Sequence, residues 1–443
     1  MSHLSDRQRE ELYKALLSYF SKSEFPKTFL TFKSELSNKG INIDINEENE
    51  HKYDKLLEKK WSSVIRLQKK IMDLETQLHT AQTELSTIPS DKNYSEDISY
   101  WIPRAPARHT LTGHRQSVTS VAFHPVFTIL ASAAEDSTIK IWDWETGDFE
   151  RTLKGHTKAV LDIDFNAFSD SNYLLASCSS DLTIKLWDSE NDYKNIKTFY
   201  GHDHSISSVK FLPPSGDRIV SVSRDRNIKI WEISTGFCTK TISSAHIDWI
   251  RTICPSDDGK LLLSAGNDRI AKIFDVYDGE CKLEFQGHEH VIECAIFAPN
   301  SAFKFLTELS GIHFSKNSTG YIATGSRDKT IKLWGCQTGQ MIKTLSGHDN
   351  WLRALVFHPS GRYLISASDD KTIRCWDLSQ SGKCTRIIKE AHSHFISCLR
   401  CTPNLLKYST TNKSNKVSNK SSNSKKIAIA SGGVDLVIRI WMP

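Results

Sequence analysis

The chain of 443 residues has no run approaching the ~20 apolar residues that a membrane-spanning helix needs. Its first residues are polar and lack the apolar core of a secretory signal, which favours an intracellular protein. No cysteine occurs before Cys178, and of the ten present only Cys398 and Cys401 form a Cys-x-x-Cys. No second pair is spaced to complete a zinc site. Their odd spacing within a strand would put the two thiols on opposite faces, so all ten read as reduced core or surface thiols. Strong charge is missing as well: a formal net charge of +5 does not by itself call for nucleic acid. There is no phosphate-cradling loop, no metal set and no nucleophile that occurs only once. What remains is an ordinary soluble composition, 39% hydrophobic and 25% charged, long enough for a large core and more than one domain.

What is present is repetition. Thr138-Ile-Lys-Ile-Trp-Asp143 returns as Thr183–Asp188, Asn227–Glu232, Ile270–Asp275, Thr330–Trp334, Thr372–Asp377 and Val437–Trp441. Shortly before each stands an aspartate: Asp136, Asp181, Asp225, Asp268, Asp328, Asp370 and Asp435. Further upstream each has a histidine: His114, His156, His202, His246, His288, His348 and His392, five of them after Gly. The His-to-His steps are 42, 46, 44, 42, 60 and 44 residues. Four residues before each Asp is a hydroxyl: Ser132, Ser177, Ser221, Ser264, Thr324, Ser366 or Ser431. His, hydroxyl, Asp and Trp, as in His114, Ser132, Asp136 and Trp142, can form one buried relay. Buried polar groups must be paired, so the four recur together. Phe274 replaces Trp in the fourth unit and Gly335 replaces the closing Asp in the fifth, so both relays are expected to be weaker. Ser, His and Asp invite a catalytic reading, but a catalytic triad occurs once, and seven copies at a structural period are a packing device.

A period in the low forties with Gly-His and Trp-Asp ends is the signature of propeller blades, and from about residue 104 onward the chain resembles the WD40 family. Each unit reads as four short strands; the first shows Val118–Phe123, Ile129–Ala133 and Thr138–Trp142. Arg108-His-Thr-Leu-Thr-Gly-His114 matches the outer-strand pattern with no blade before it, and the chain stops two residues after Trp441. The early segment is therefore expected to supply the seventh blade's outer strand.

Ahead of the blades, Ser5–Gln8 fits a capping box. Leu12, Ala15, Leu16, Tyr19 and Phe20 recur at helical spacing. After a break at Ser21–Ser23, Phe25, Phe29, Phe32 and Leu36 suggest a second helix with Pro26 near its first turn. So small a unit with so many aromatics needs a partner, and its pattern resembles the LisH dimerisation motif, over residues 1–40. Residues 51–88 carry a heptad whose a and d sites are Leu57, Lys60, Val64, Leu67, Ile71, Leu74, Leu78, Ala81, Leu85 and Ile88. Nine of these ten are apolar, and Val64 and Ile71 at a with Leu67 and Leu74 at d favour a parallel two-stranded coil. Residues 89–107 read as a polar linker in which Trp101-Ile102 anchors onto the propeller, which spans 108–443. Two insertions lengthen the blades. Ser301–Ser318 carries Phe303, Phe305, Leu306, Ile312 and Phe314 and reads as a loop folded onto the ring. Asn404–Lys426, with six Lys and no acid, reads as a solvated, disordered loop. The fold class is thus an all-β seven-bladed WD40 propeller behind a small α-helical LisH unit and a coiled coil.

A propeller of this kind presents faces. The residues before the relay Asp and after Gly-His should share one, offering Arg224, Arg327, Trp249, Trp351, Arg251, Arg353, Lys329 and Lys371 on neighbouring loops. Trp and Arg are enriched at binding hot spots; the alternative is that both Trp fill gaps between blades.

The order of parts resembles the lissencephaly/nuclear-distribution (NudF-type) family. Gly347-His-Asp-Asn-Trp-Leu-Arg353, Ser223-Arg-Asp225 and Ser326-Arg-Asp328 look especially like it. The resemblance implies a dimeric, non-catalytic regulator of cytoplasmic dynein, without cofactor, that docks its propeller on the motor domain of the heavy chain. It implies targeting to microtubule plus ends, roles in nuclear migration and spindle positioning, and residence in the cytoplasm, at plus ends and at spindle poles. Microtubule association would be indirect, and a NudE/NudEL-type coiled-coil protein would be a further partner. By motif match Arg224, Arg327, Trp351 and Lys371 would face the motor, with Trp249 and Arg353 beside them. The competing class is a LisH–WD40 nuclear scaffold, a transcription cofactor or ubiquitin-ligase subunit, which shares the parts list.

Overall fold

The alternation of short β-branched strands with tight polar turns folds into seven four-stranded antiparallel sheets. The structure, a computed structural model, describes residues 12–17, 19–20, 26–38, 72, 101–168, 173–311, 320–403 and 427–443. The capping box at Ser5–Gln8, the break at Ser21–Ser23 with Phe25, and most of the heptad over 51–88, including Leu57, Val64, Leu67, Ile71, Leu74, Leu78 and Leu85, lie outside the described residues. So do linker residues 89–100, Ile312 and Phe314 of the first insertion, and the second insertion, 404–426.

Two compact units are present, residues 1–92 and 93–443. In the first, residues 12–17 are helical and α1 spans Pro26–Asn38. Tyr13 and Phe20 meet Phe32 edge-on at 6.2 and 6.1 Å between ring centroids. Ala15, Leu17 and Leu36 are buried, but Leu12, Tyr19 and Leu30 are exposed. Leu17, off the apolar stripe read from the sequence, is buried, while Leu12 and Tyr19, on that stripe, face outward. A single chain therefore leaves apolar surface uncovered here.

In the second unit, blade one is β2 (Val118–Phe123), β3 (Ile129–Ala134), β4 (Thr138–Asp143) and β5 (Phe149–Lys154), ordered from the axis outward. Five further sheets repeat this order. The seventh is composite: β26 (Ile396–Cys401), β27 (Ile429–Gly433) and β28 (Val437–Trp441) are completed by β1 (His109–Thr112). β1 pairs antiparallel with β28, His109 opposite Ile440 and Leu111 opposite Ile438, and Arg108 donates its N–H to the Ile440 carbonyl at 2.8 Å. Both ends of the ring thus share one sheet, so β28 is paired on both sides rather than left as an exposed edge.

The apolar core divides into seven clusters, each filling the space between two neighbouring blades. The reason is geometric: each strand presents one face to the blade before and one to the blade after. Cys398 packs with Val118 and Val121, whereas Cys401 packs on the opposite side near Trp441. Trp101 and Ile102 pack on the cluster between blades six and seven, and Arg386 donates to the Ile102 carbonyl at 3.3 Å.

Chain direction fixes what each end of the ring carries. The turns from outer to next inner strand and from second to third strand lie at one end, the relay end. The turns from first to second and from third to fourth strand lie at the other. Both insertions join a first to a second strand, after Phe297 and after Cys401. The strand ends that flank them, Phe297 and Tyr321, Cys401 and Ile429, lie at the end opposite the relay turns. Part of the first forms helix α2 (Phe303–Ser310), which buries Leu306 against blades five and six. Gly361, with φ +74°, lets the chain pass there; a Cβ on it would lie 2.2 Å from the Ser301 carbonyl carbon.

Candidate partner-binding face

The relay end is built on a repeated polar chain. In all seven blades the histidine Nδ1 lies 2.6–3.1 Å from the Asp carboxylate. Its Nε2 lies 2.7–2.8 Å from the Ser or Thr hydroxyl. In six blades the indole Nε1–H donates to that hydroxyl at 2.8–3.0 Å. The partner set fixes the direction: indole donates to hydroxyl, hydroxyl to Nε2, and Nδ1–H to carboxylate. A hydroxyl held this way inside a sheet has no access to a substrate. Burial pulls the His114 imidazole below its ordinary pKa.

The other Asp oxygen closes the turn. Asp136 Oδ1 accepts from the Thr138 N–H at 3.0 Å and hydroxyl at 2.6 Å, an Asx-type turn. The residue between is left-handed in every blade, with φ from 63° at Ser137 to 71° at Leu182 and Lys329.

Two expectations about the relay part company. In blade four Phe274 removes the indole donor, yet His246 keeps Ser264 at 2.8 Å and Asp268 at 2.7 Å. In blade five the relay is complete despite Gly335: His288 to Asp328 is 2.6 Å, His288 to Thr324 is 2.8 Å and Trp334 to Thr324 is 2.9 Å. Gly335 does not weaken it because the closing Asp belongs to a different turn. Asp143, Asp188 and Asp275, its counterparts, accept backbone N–H groups at the opposite end. The Gly before His has its own cause. A Cβ on Gly155 would meet Trp187 Cη2 at 2.9 Å, so the indole of the same blade lies against that backbone.

Above this scaffold the sequence places two matching Arg–Trp–Arg stacks. Arg224 and Arg251 lie 5.1 and 3.7 Å from the Trp249 ring centroid. Arg327 and Arg353 lie 4.3 and 5.2 Å from that of Trp351. In each, one Arg precedes the relay Asp of one blade, while the Trp and second Arg open the next blade. Both indoles are half-buried, neither filling a gap between blades nor standing free. Trp249 donates Nε1–H to Ser207 at 2.5 Å. Arg353 is committed to Asp369 by two bonds of 2.9 Å and one of 3.1 Å, and Arg251 to Asn267 at 2.9 Å. Arg224 is exposed, and Lys371 is the half-buried, left-handed residue of the blade-six turn. Cation–π contacts contribute about 0.5–1 kcal/mol when exposed and ~2 when desolvated, so each indole helps hold its guanidinium groups in place. Arg251 was legible only as a neighbour of Trp249; its +2 spacing, repeated at Arg353, is the signal that joins it to the set. Among the described residues no three His, Cys, Asp or Glu side chains gather as metal ligands, and no described helix is long and apolar enough to cross a membrane.

The fold and this face define a WD40 propeller carried with a LisH unit. The WD domain, G-beta repeat, matches residues 106–143, 147–188, 193–232, 236–275, 279–335 and 339–377, and the PAC1 LisH domain matches 6–40. Nuclear distribution protein PAC1 of Coccidioides posadasii (strain C735) is 50% identical over 415 residues, 91% of this chain and 87% of that protein. Nuclear distribution protein PAC1 of Arthroderma otae is 47% identical over 460 residues, 99% of each chain. Nuclear distribution protein nudF of Emericella nidulans is 50% identical over 404 residues, 90% of each. The chain belongs to the PAC1/nudF family of nuclear distribution proteins.

Proposed function

We propose that this protein is a non-catalytic, dimeric regulator of cytoplasmic dynein in nuclear distribution, which binds the heavy-chain motor domain through the relay end of its propeller. The observation that carries the reading is the pair of Arg–Trp–Arg stacks on that face, joined to membership of a family whose members are named for nuclear distribution. Arg224, Arg327, Trp351 and Lys371 contact the motor, with Trp249 and Arg353 holding their neighbours in place. Binding biases the motor's cycle by differential affinity for one of its states. The protein works at microtubule plus ends and spindle poles, reaching microtubules through dynein and assisted by a NudE-type coiled-coil partner. The nuclear distribution names favour this reading over a nuclear scaffold.

Binding of a purified dynein motor domain tests it. Arg327→Ala with Trp351→Ala should weaken Kd at least about 30-fold, the ~2 kcal/mol of a hot spot, with an unchanged thermal melt. A wild-type chain that fails to bind at low salt overturns the reading.

The second part of the proposal is bivalence. LisH and the heptad pair two chains, and the second propeller gains effective concentration without new contacts. Ile71→Asp with Leu74→Asp should yield a monomer by light scattering, with a folded propeller and weakened motor regulation. Equal activity from that monomer would sink the bivalent part.

A further inference from the structure

One carboxylate lies among the arginines of both stacks. Glu293 is the second residue of β18 (Ile292–Phe297), the inner strand of blade five. It lines the mouth of the central channel, a cavity of about 410 Å³, together with Arg251, Arg353 and Trp249. Its side chain is only 9% exposed. Its Oε1 accepts from Arg327 Nε at 2.5 Å and lies 3.6 Å from Arg353 Nη1. These are the two guanidinium groups stacked on Trp351. Burial lowers the pKa of Arg251, which stacks on Trp249; the Glu293 charge opposes that shift, while Arg327, Arg353 and Arg224 add to it. Glu293 therefore sits between the stacks as their shared counter-ion.

The bond pattern says more than the charge. Arg353 spends its Nε and one Nη on Asp369. Arg327 is held through Nε alone, so among the described residues its two Nη groups carry no bond. A guanidinium gripped at Nε and pressed on an indole keeps its Nη edge in a fixed direction. That edge matches a carboxylate, which accepts two parallel N–H bonds.

We infer that Glu293 is the positioning residue of this face: it fixes Arg327 against Trp351 so that the Nη edge of Arg327 receives an acidic side chain of the partner. The inference rests on the motor-binding reading and adds to it the chemistry of the contacted surface.

Charge and position give opposite signs, which makes the claim testable. Glu293→Gln adds one unit of positive character to the face; electrostatics alone would tighten an acidic partner. Loss of the charge-assisted grip on Arg327 Nε, which an amide oxygen replaces only with a weaker neutral bond, weakens it. Glu293→Asp keeps the charge but is one methylene too short to reach Arg327 Nε, and serves if the Gln variant melts early. Motor-domain binding is measured for both, with and without Arg327→Ala. Each variant should weaken Kd about 10-fold, an effect of ~1.4 kcal/mol. In the Arg327→Ala background each should change it less than about twofold, because the positioned group is gone. Unchanged or tighter binding by both variants, where the wild type binds, overturns Glu293's role and leaves the motor reading standing. So does an equal loss in the Arg327→Ala background, which would mark a general structural effect. A wild type that does not bind removes both.

Discussion

Asp370→Ala should lower the stability of the propeller by about 3–5 kcal/mol, the largest single-residue loss expected at the relay end. Its carboxylate accepts four bonds: His348 Nδ1 at 2.7 Å, the Asp349 N–H at 3.1 Å, and the Thr372 N–H and hydroxyl at 2.9 and 2.7 Å. Its side chain is 6% exposed, and that of His348 is fully enclosed. Alanine leaves the enclosed His348 Nδ1–H without its acceptor and strips the turn of the bonds that close it. Blade four shows which relay member can be spared, since it lacks the indole and keeps the rest; the carboxylate is present in every blade. Against a total stability of order 5–15 kcal/mol, the loss is readable in urea denaturation at pH 7. Hydrogen bonds and the nearby His348 hold the Asp370 carboxyl below the ordinary 3.8 despite its burial. A depressed carboxyl contributes stability above its unfolded value and loses it as pH falls through the folded value. The gap between wild type and variant should therefore be full at pH 7 and shrink below about pH 4. A midpoint unchanged at pH 7 would remove the relay as a stabilising device.

Leu111→Asp should open the ring. Leu111 is 3% exposed and packs in the cluster between blades seven and one with Val118, Ile438 and Ile440. Removing a buried leucine costs about 1.5–3 kcal/mol, and an unpaired carboxylate in its place adds a comparable penalty. That exceeds what a four-residue strand can return through its pairing. With β1 detached, β28 presents a free edge beside exposed apolar surface, a template for pairing with another chain. Light scattering of the variant should show self-association beyond that of the wild type, and its melt should fall by several degrees. Thr110→Asp, at an exposed position of the same strand, serves as the control and should leave both unchanged. If Leu111→Asp behaves like Thr110→Asp, the closure contributes little.

Blade number, strand limits and relay were legible because each blade repeats one solution to one problem: burying a Trp, a His and a carboxylate together. A seven-fold repeat makes even Phe274 readable as a variation. Gly335 was misread because Trp-Asp is contiguous in sequence while its two members serve opposite ends of the ring. The Arg–Trp stacks were partly legible. Trp249, Trp351, Arg224 and Arg327 were read as one face from their loop positions, but the first Arg of each stack comes from the blade before its Trp, and that pairing has no local pattern. Glu293 was invisible for the same reason: one acid on a mixed strand acquires meaning only when the ring brings Arg327 and Arg353 around it. In the helical unit, periodicity located the helices but not the buried face: Leu17, off the stripe, is buried, while Leu12 and Tyr19, on it, are exposed.

The composite seventh blade also sets an order of events during synthesis. About 330 residues separate His109 from its pairing partner Ile440. At ~5–20 residues per second, β1 leaves the ribosome roughly 15–65 s before its partner exists. Through that interval six blades can form while the first blade's flank and the β1 strand wait unpaired, one tethered to the other. The nascent chain is then an open crescent with two sticky ends. Its yield in a cell depends on how well those ends are shielded until the last strand arrives.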